Sequence, residues 1–234
     1  MRLPAEVGNQ VLDALPTTEY RRLITRMRPV ELPRGKVLFN AGDEVDVAYF
    51  PVSGVISLLS TTESGEIIEV GMVGNEGTTC LPIIAHQQEI PYRVVVQIAG
   101  HGVKIDSETV RREFLCAGRF HDLLICYTHS LFAEITQSAV CNRFHVAEAR
   151  FSRWLLSMHD RVAGDTLSLT HEIISNMLGA ERSNVTRIAR IFQNKGLIQY
   201  RYGSITILNR AGLETASCEC YAAVKQSIKR CRAA

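Results

Sequence analysis

Arg182, Ser183, Thr186, Arg187 and Arg190 stand at relative offsets 0, 1, 4, 5 and 8, which on a helix form one continuous stripe. A guanidinium at the start of such a helix can donate two parallel hydrogen bonds to O6 and N7 of guanine. Short hydroxyl side chains beside it permit close approach to base edges or phosphates. Arg201, further along the chain, is a candidate phosphate contact, as are Thr170, Thr186 and Arg190. On an isolated helical hairpin the same arginines would only solvate an outer face. The elements around them therefore decide what they can do.

Those elements read as a helix, a tight turn, a second helix and a hairpin. Thr170 suits an N-cap with Glu172 in the first turn, and Ile173, Ile174, Met177 and Leu178 supply an apolar face. Gly179 permits the left-handed turn a helix-turn-helix needs. The second helix is expected from about Arg182 to Gln193, with Val185, Ile188, Ala189 and Phe192 turned inward and the arginine stripe outward. After Lys195-Gly196, the runs Leu197–Tyr200 and Ile205–Leu208 joined through Tyr202-Gly203 read as a wing with Arg201 at its tip. The coincidence of turn, stripe and wing points to DNA.

Upstream the texture differs. A short helix is expected from Thr18 to Met27, stopped by Pro29. From Glu31 to Ile105 short β-branched runs (Lys36–Phe39, Val45–Phe50, Gly54–Ser60, Ile67–Met72, Tyr92–Ile98, Val103–Ile105) alternate with glycines, which fits an antiparallel barrel or roll. After Asp106 the period becomes helical. Phe120, Leu124, Tyr127, Leu131 and Ile135 form one apolar stripe, able to pack either on its own domain or on a symmetry mate. A further helix carries Ala147, Phe151, Trp154, Leu155 and Met158 on its buried side, before Gly164-Asp165.

Charge is divided unevenly along the 234 residues. Residues 1–142 hold 12 Lys and Arg against 17 Asp and Glu, a net of −5, and residues 143–234 hold 14 against 7, a net of +7. A polyanion partner is expected for the second part only. The apolar run Cys80–Ala85 falls far short of the ~20 residues of a membrane helix. Glu6 and Asp13, with no apolar stretch near them, argue against a secretory leader. Seven cysteines without a disulfide rhythm fit a reducing compartment, so a cytoplasmic protein is expected. The sequence contains no nucleophile–base motif, phosphate-cradling glycine loop or repeated metal-ligand spacing, and no enzyme activity is expected.

The order of glycine-punctuated β-roll, long helix and winged helix-turn-helix resembles the Crp/Fnr family of bacterial transcription regulators. The resemblance rests on Leu169-Thr170 through Gly179, Arg182, Val185, Arg187-Ile188 and Gly196-Leu197-Ile198 in the C-terminal part. In the roll it rests on Leu32-Pro33-Arg34-Gly35, Ala41-Gly42-Asp43 and Phe50–Val55. It implies an α+β chain divided into a cyclic-nucleotide-binding-like sensor (1–118), a dimerisation helix and hinge (119–142) and a DNA-binding domain (143–234). It also implies that Arg182, Ser183 and Arg187 read bases in an inverted-repeat operator of double-stranded DNA, and that RNA polymerase is a further partner. The stripe Phe120, Leu124, Tyr127, Leu131 and Ile135 becomes the homodimer contact, which a charge at Leu124 or Leu131 would break. Two residues depart from the family's pattern: Ser183 replaces the glutamate of well-known members, and Glu181 stands at an N-cap where serine is usual.

The resemblance also suggests where an effector would bind. Glu76 in the Val73–Pro82 turn, with Tyr92 and Arg93, forms the candidate pocket. Val94 stands beside Arg93 where cyclic-nucleotide-binding members carry a hydroxyl residue, so an ordinary cyclic-nucleotide pose is not expected, and the effector is left unidentified. No iron–sulfur cluster of the N-terminal type is expected, because residues 1–79 contain no cysteine. Cys126 with His129, and Cys218 with Cys220, are close pairs, but two ligands do not close a metal site. Cys116, Cys126 and Cys141 are read as small buried hydrophobes, and no metal or cofactor is assigned. The competing reading is a ligand-binding regulator whose C-terminal domain docks on protein.

Overall fold

Strand residues 55–59, Val-Ile-Ser-Leu-Leu, are buried on both faces, so the usual polar alternation is missing. The reason is the architecture. Ile56 and Leu58 point into the core of an N-terminal roll, and Val55 and Leu59 point into a second core shared with the C-terminal domain. The computed structural model describes residues 7–87 and 89–233, with side chains to 230. Glu6 lies outside the described residues.

The N-terminal part begins with α1 (Gln10–Asp13) and α2 (Thr17–Ile24), followed by β1 (Arg28–Leu32), β2 (Val37–Phe39) and β3 (Val47–Pro51). It continues with β4 (Val55–Thr61), β5 (Ile67–Val73), α3 (Leu81–Ile84), β6 (Arg93–Ile98), β7 (Gly100–Asp106) and α4 (Ser107–Leu115). Two antiparallel sheets, ordered β1-β7-β3 and β2-β6-β4-β5, enclose the roll's core. Pro29 does not merely stop a helix. It sits in β1, an edge strand paired only with β7, where its missing N–H costs no ladder bond to a second neighbour.

The central helix α5 (Arg119–Phe144) follows. Its N-terminus is capped by the Glu19 carboxylate, which accepts from the N–H groups of Arg119 at 3.0 Å and Phe120 at 2.8 Å. Phe120, Leu124, Tyr127 and Leu131 are 0–5% exposed and belong to the roll's own core, and half-buried Ile135 packs over Gly71. Tyr127 lies so close to Gly77 that a Cβ there would stand 2.1 Å from its ring. Within this chain the stripe is an intramolecular contact. The side of α5 left open carries Asp122, Ile125, His129, Phe132, Thr136, Ala139, Val140 and Arg143.

The C-terminal part comprises α6 (Ala147–His159), β8 (Thr166–Leu167), α7 (His171–Leu178), α8 (Arg182–Asn194), β9 (Ile198–Arg201) and β10 (Ser204–Ile207). It ends with α9 (Arg210–Ala216) and α10 (Cys220–Ala233). α10, which periodicity had not disclosed, lies along α5, where the Ser130 hydroxyl donates to the Ser227 carbonyl at 3.3 Å. Among the described residues no helix is long and apolar enough to cross a membrane.

Buried polar bonds tie the two parts together. Trp154 Nε1 donates to Glu69 at 2.6 Å. Arg161, after α6, donates to Glu76 of the roll at 2.7 Å and to Glu134 of α5 at 2.9 Å, with all three side chains at most 7% exposed. Burial disfavours the Arg161 charge, but Glu134 and Glu76 more than offset it and hold the guanidinium protonated. Burial pushes the Glu69 carboxyl up to about 7 and raises that of Glu134.

Candidate nucleic-acid interface

The recognition geometry begins at the turn. Thr170 caps α7 by accepting from the Ile173 N–H at 3.2 Å, leaving its own O–H able to donate to a phosphate. Gly179 ends α7 with φ +55°, a left-handed conformation that a side chain would strain. Glu181 takes the N-cap of α8 without a side-chain capping bond; its carboxylate instead accepts from Ser183 at 3.3 Å.

Val185, Ile188, Ala189 and Phe192 are buried in the C-terminal core, with Phe192 stacked on Phe151 at 5.6 Å between ring centroids. This fixes the opposite face outward, and Arg182, Ser183, Arg187 and Arg190 are exposed. Arg187 donates to Glu148 at 2.7 Å and to Asn184 at 2.9 Å, and that first hydrogen bond holds the Glu148 carboxyl below the usual range. That pair is solvent-accessible and worth only about 0–1 kcal/mol, so a guanine can take its place. Thr186 differs from the reading above. Its hydroxyl bonds the Arg182 carbonyl at 2.9 Å and His171 Nδ1 at 3.0 Å, so it braces the motif rather than facing outward.

His171 was not visible as a site residue in the sequence. Its ring stacks on Tyr200 of the wing at 4.1 Å, and burial together with the nearby Arg182 charge keeps it neutral more readily than an exposed histidine. It therefore couples α7, α8 and wing into one rigid surface. The wing's sheet runs β8-β10-β9, and its turn places Tyr202 (φ +49°) and Gly203 (φ +76°) at the tip. Two positive φ values in a two-residue hairpin suit the right-handed twist of the strands. Arg201 and the fully exposed Tyr202 project there.

The candidate effector residues do not converge. Tyr92 lines a closed space with Leu58, Val73, Thr78, Thr79, Leu81, Val94 and Leu131, too small to admit a water molecule. Arg93, the first residue of β6, lies on the opposite face from Val94. Glu76 is committed to Arg161 and borders a different cavity, about 160 Å³, between the roll and α10. Cys116 is exposed rather than core, and Cys218 and Cys220 lie beside Cys141 and His145.

Comparison with known proteins matches these two halves separately. Residues 29–115 match the family described as cyclic nucleotide-binding domain and residues 149–216 that described as Crp-like helix-turn-helix domain. The chain is 25% identical over 225 residues to the anaerobic regulatory protein of Haemophilus influenzae, covering 90% of this chain and 82% of that protein. It is 24% identical over 225 residues to the fumarate and nitrate reduction regulatory protein of Vibrio cholerae, covering 90% and 84%. The fold is shared with FixK2 from Bradyrhizobium japonicum at a TM-score of 0.70 and 13% identity, covering 82% of this chain and 98% of that one. A roll joined by one long helix to an outward-facing recognition helix and wing, with both domain matches in that order, makes the chain a DNA-binding transcription regulator of the Crp/Fnr family.

Proposed function

We propose that the protein acts in the cytoplasm as a homodimer that reads an inverted-repeat operator through Arg182, Ser183 and Arg187. Thr170, Arg190 and Arg201 hold the phosphates on either side, and RNA polymerase is the further partner. The working division is a sensor to residue 118, the central helix and hinge over 119–142, and the DNA-binding unit over 143–234. The observation that carries the reading is the two-faced α8. Its apolar side is locked into the core, leaving the arginine side exposed beside the wing.

The dimer face belongs to the open side of α5. Asp122, Ile125, His129, Phe132, Thr136, Ala139 and Arg143 recur at alternating steps of three and four, the spacing of a two-helix coiled coil. Ile125 and Phe132 stand 49% and 68% exposed in the single chain. A two-fold axis through this seam would present two recognition helices to successive major grooves. The effector is a molecule other than a cyclic nucleotide in its ordinary pose, because the space around Tyr92 is closed and Arg93 faces away from it.

Selection from a pool of random duplexes tests this. The wild-type protein should enrich an inverted repeat whose half-sites are one helical turn, or a multiple, apart. Enrichment of a single half-site, or of no sequence, would contradict it.

A further inference from the structure

The end of α5 meets the start of α10 at a cluster that the DNA-binding machinery does not use. Cys141 is in the last turn of α5 and His145 is its C-cap, while Cys218 precedes α10 and Cys220 is its first residue. One donor atom from each lies within 4.8 Å of all the others. We propose that Cys141, His145, Cys218 and Cys220 hold a mononuclear zinc ion that staples the hinge to the C-terminal helix.

Three observations support it. The first is spacing. With Zn–S near 2.3 Å and Zn–N near 2.0 Å, the edges of a ligand tetrahedron are about 3.8 Å for S···S and about 3.5 Å for S···N. Cys141 Sγ and Cys218 Sγ stand 3.5 Å apart, and Cys220 Sγ and His145 Nδ1 3.4 Å apart. These lengths leave no room for the sulfide core of an iron–sulfur cluster.

The second is the surrounding hydrogen bonding. His145 Nε2 lies 3.1 Å from the Glu219 carboxylate, which accepts a hydrogen bond from Nε2–H and so leaves the Nδ1 lone pair directed at the cluster. Gln137 Nε2 donates to Cys220 Sγ at 3.1 Å. Buried Arg153 carries an Nε without a hydrogen-bond partner among the described residues; burial raises the Cys141 thiol's pKa, and the Arg153 charge opposes that rise. Three thiolates, a neutral imidazole and Zn²⁺ sum to −1, which a neighbouring guanidinium balances.

The third is packing. Buried cysteines usually fill space among aliphatic side chains. Here Cys141, Cys218 and Cys220 form a cluster of their own, and among the described residues Ala149 is the partly buried hydrophobic packed against it. Because the hinge supplies two ligands and the α9–α10 junction two, the ion would set the angle at which α10 and the winged domain leave α5. Metal binding would then register in domain orientation as well as stability.

The test uses the full chain, purified under reducing conditions with zinc present, then analysed by elemental mass spectrometry and by cobalt substitution. About one zinc per chain is expected, and cobalt should show thiolate charge-transfer bands with tetrahedral d–d absorption. Cys220→Ser and His145→Gln should lose the metal. Glu219→Gln, at a side chain 79% exposed, should weaken zinc binding by about 10–100-fold in a chelator competition. Cys116→Ser, remote from the cluster, should leave the stoichiometry unchanged. Absence of stoichiometric zinc, iron with acid-labile sulfide, a Cys141–Cys218 disulfide in the reduced preparation, or full zinc retention in Cys220→Ser and His145→Gln would each overturn the proposal.

Discussion

Replacing Arg161 with alanine should destabilise the folded chain by about 3–5 kcal/mol at pH 7, because it strands two buried carboxylates. Glu76 and Glu134 are 7% and 4% exposed and lose their shared counter-ion together. Against a total stability of about 5–15 kcal/mol this is a large fraction. The pH dependence has a definite sign. Burial already holds the Glu134 carboxyl above its ordinary value, and without Arg161 it rises further. The penalty is then absent below the ordinary carboxylate range and grows as pH climbs through the raised values. Glu69, already at about 7 through burial, moves the same way, since Arg161 also lowers its pKa. Urea unfolding of wild type and Arg161→Ala at pH 5 and 7 should therefore show a wider gap at pH 7. Adding Glu134→Gln to Arg161→Ala should recover part of the loss. A gap under about 1 kcal/mol at both pH values would mean that water or rearrangement replaces the guanidinium.

Phe132→Glu should turn the dimer into a folded monomer. In a symmetric interface the substitution counts twice, removing two buried rings at about 1.5–3 kcal/mol each and adding two facing carboxylates. At 1.4 kcal/mol per tenfold, dimer dissociation should strengthen by about 100-fold or more, with unchanged far-ultraviolet circular dichroism. Leu124→Glu is the contrasting variant. Leu124 is fully buried in the roll's core, so this change should cost folding stability. Sedimentation and urea unfolding on both variants separate the two faces of α5. A dimeric Phe132→Glu beside a folded, monomeric Leu124→Glu would restore the Phe120–Ile135 stripe as the interface.

The contrast shows what a sequence can and cannot disclose. The helix-turn-helix was legible because its signals are local: Thr170 as cap, Gly179 as turn, four inward apolar residues on α8 and Tyr202-Gly203 in the wing. The stripe on α5 was legible as a stripe, but periodicity does not say which surface it meets. α5 packs against the roll, against α10 and leaves a third side open, so periodicity left both surfaces possible and only the family resemblance pointed to the partner. Arg93 was named from the resemblance alone, which does not say to which face of β6 its side chain turns. The links between Glu76 and Arg161, and between Cys141, His145, Cys218 and Cys220, join residues far apart in the chain. No local pattern encodes such links, and only the docking of the roll and α10 on the rest of the fold creates them.

Base reading by α8 is tested most directly by titrating wild type, Arg182→Ala and Arg201→Ala against the selected duplex and a scrambled one at several salt concentrations. Arg182→Ala should lose about 1–3 kcal/mol on the selected duplex and little on the scrambled one, with relaxed preference at one base pair per half-site. Arg201→Ala should weaken both duplexes by the same factor and lower the salt slope by about one unit. If Arg182→Ala weakened both duplexes equally, Arg182 would be a phosphate contact and the assigned recognition face would be wrong.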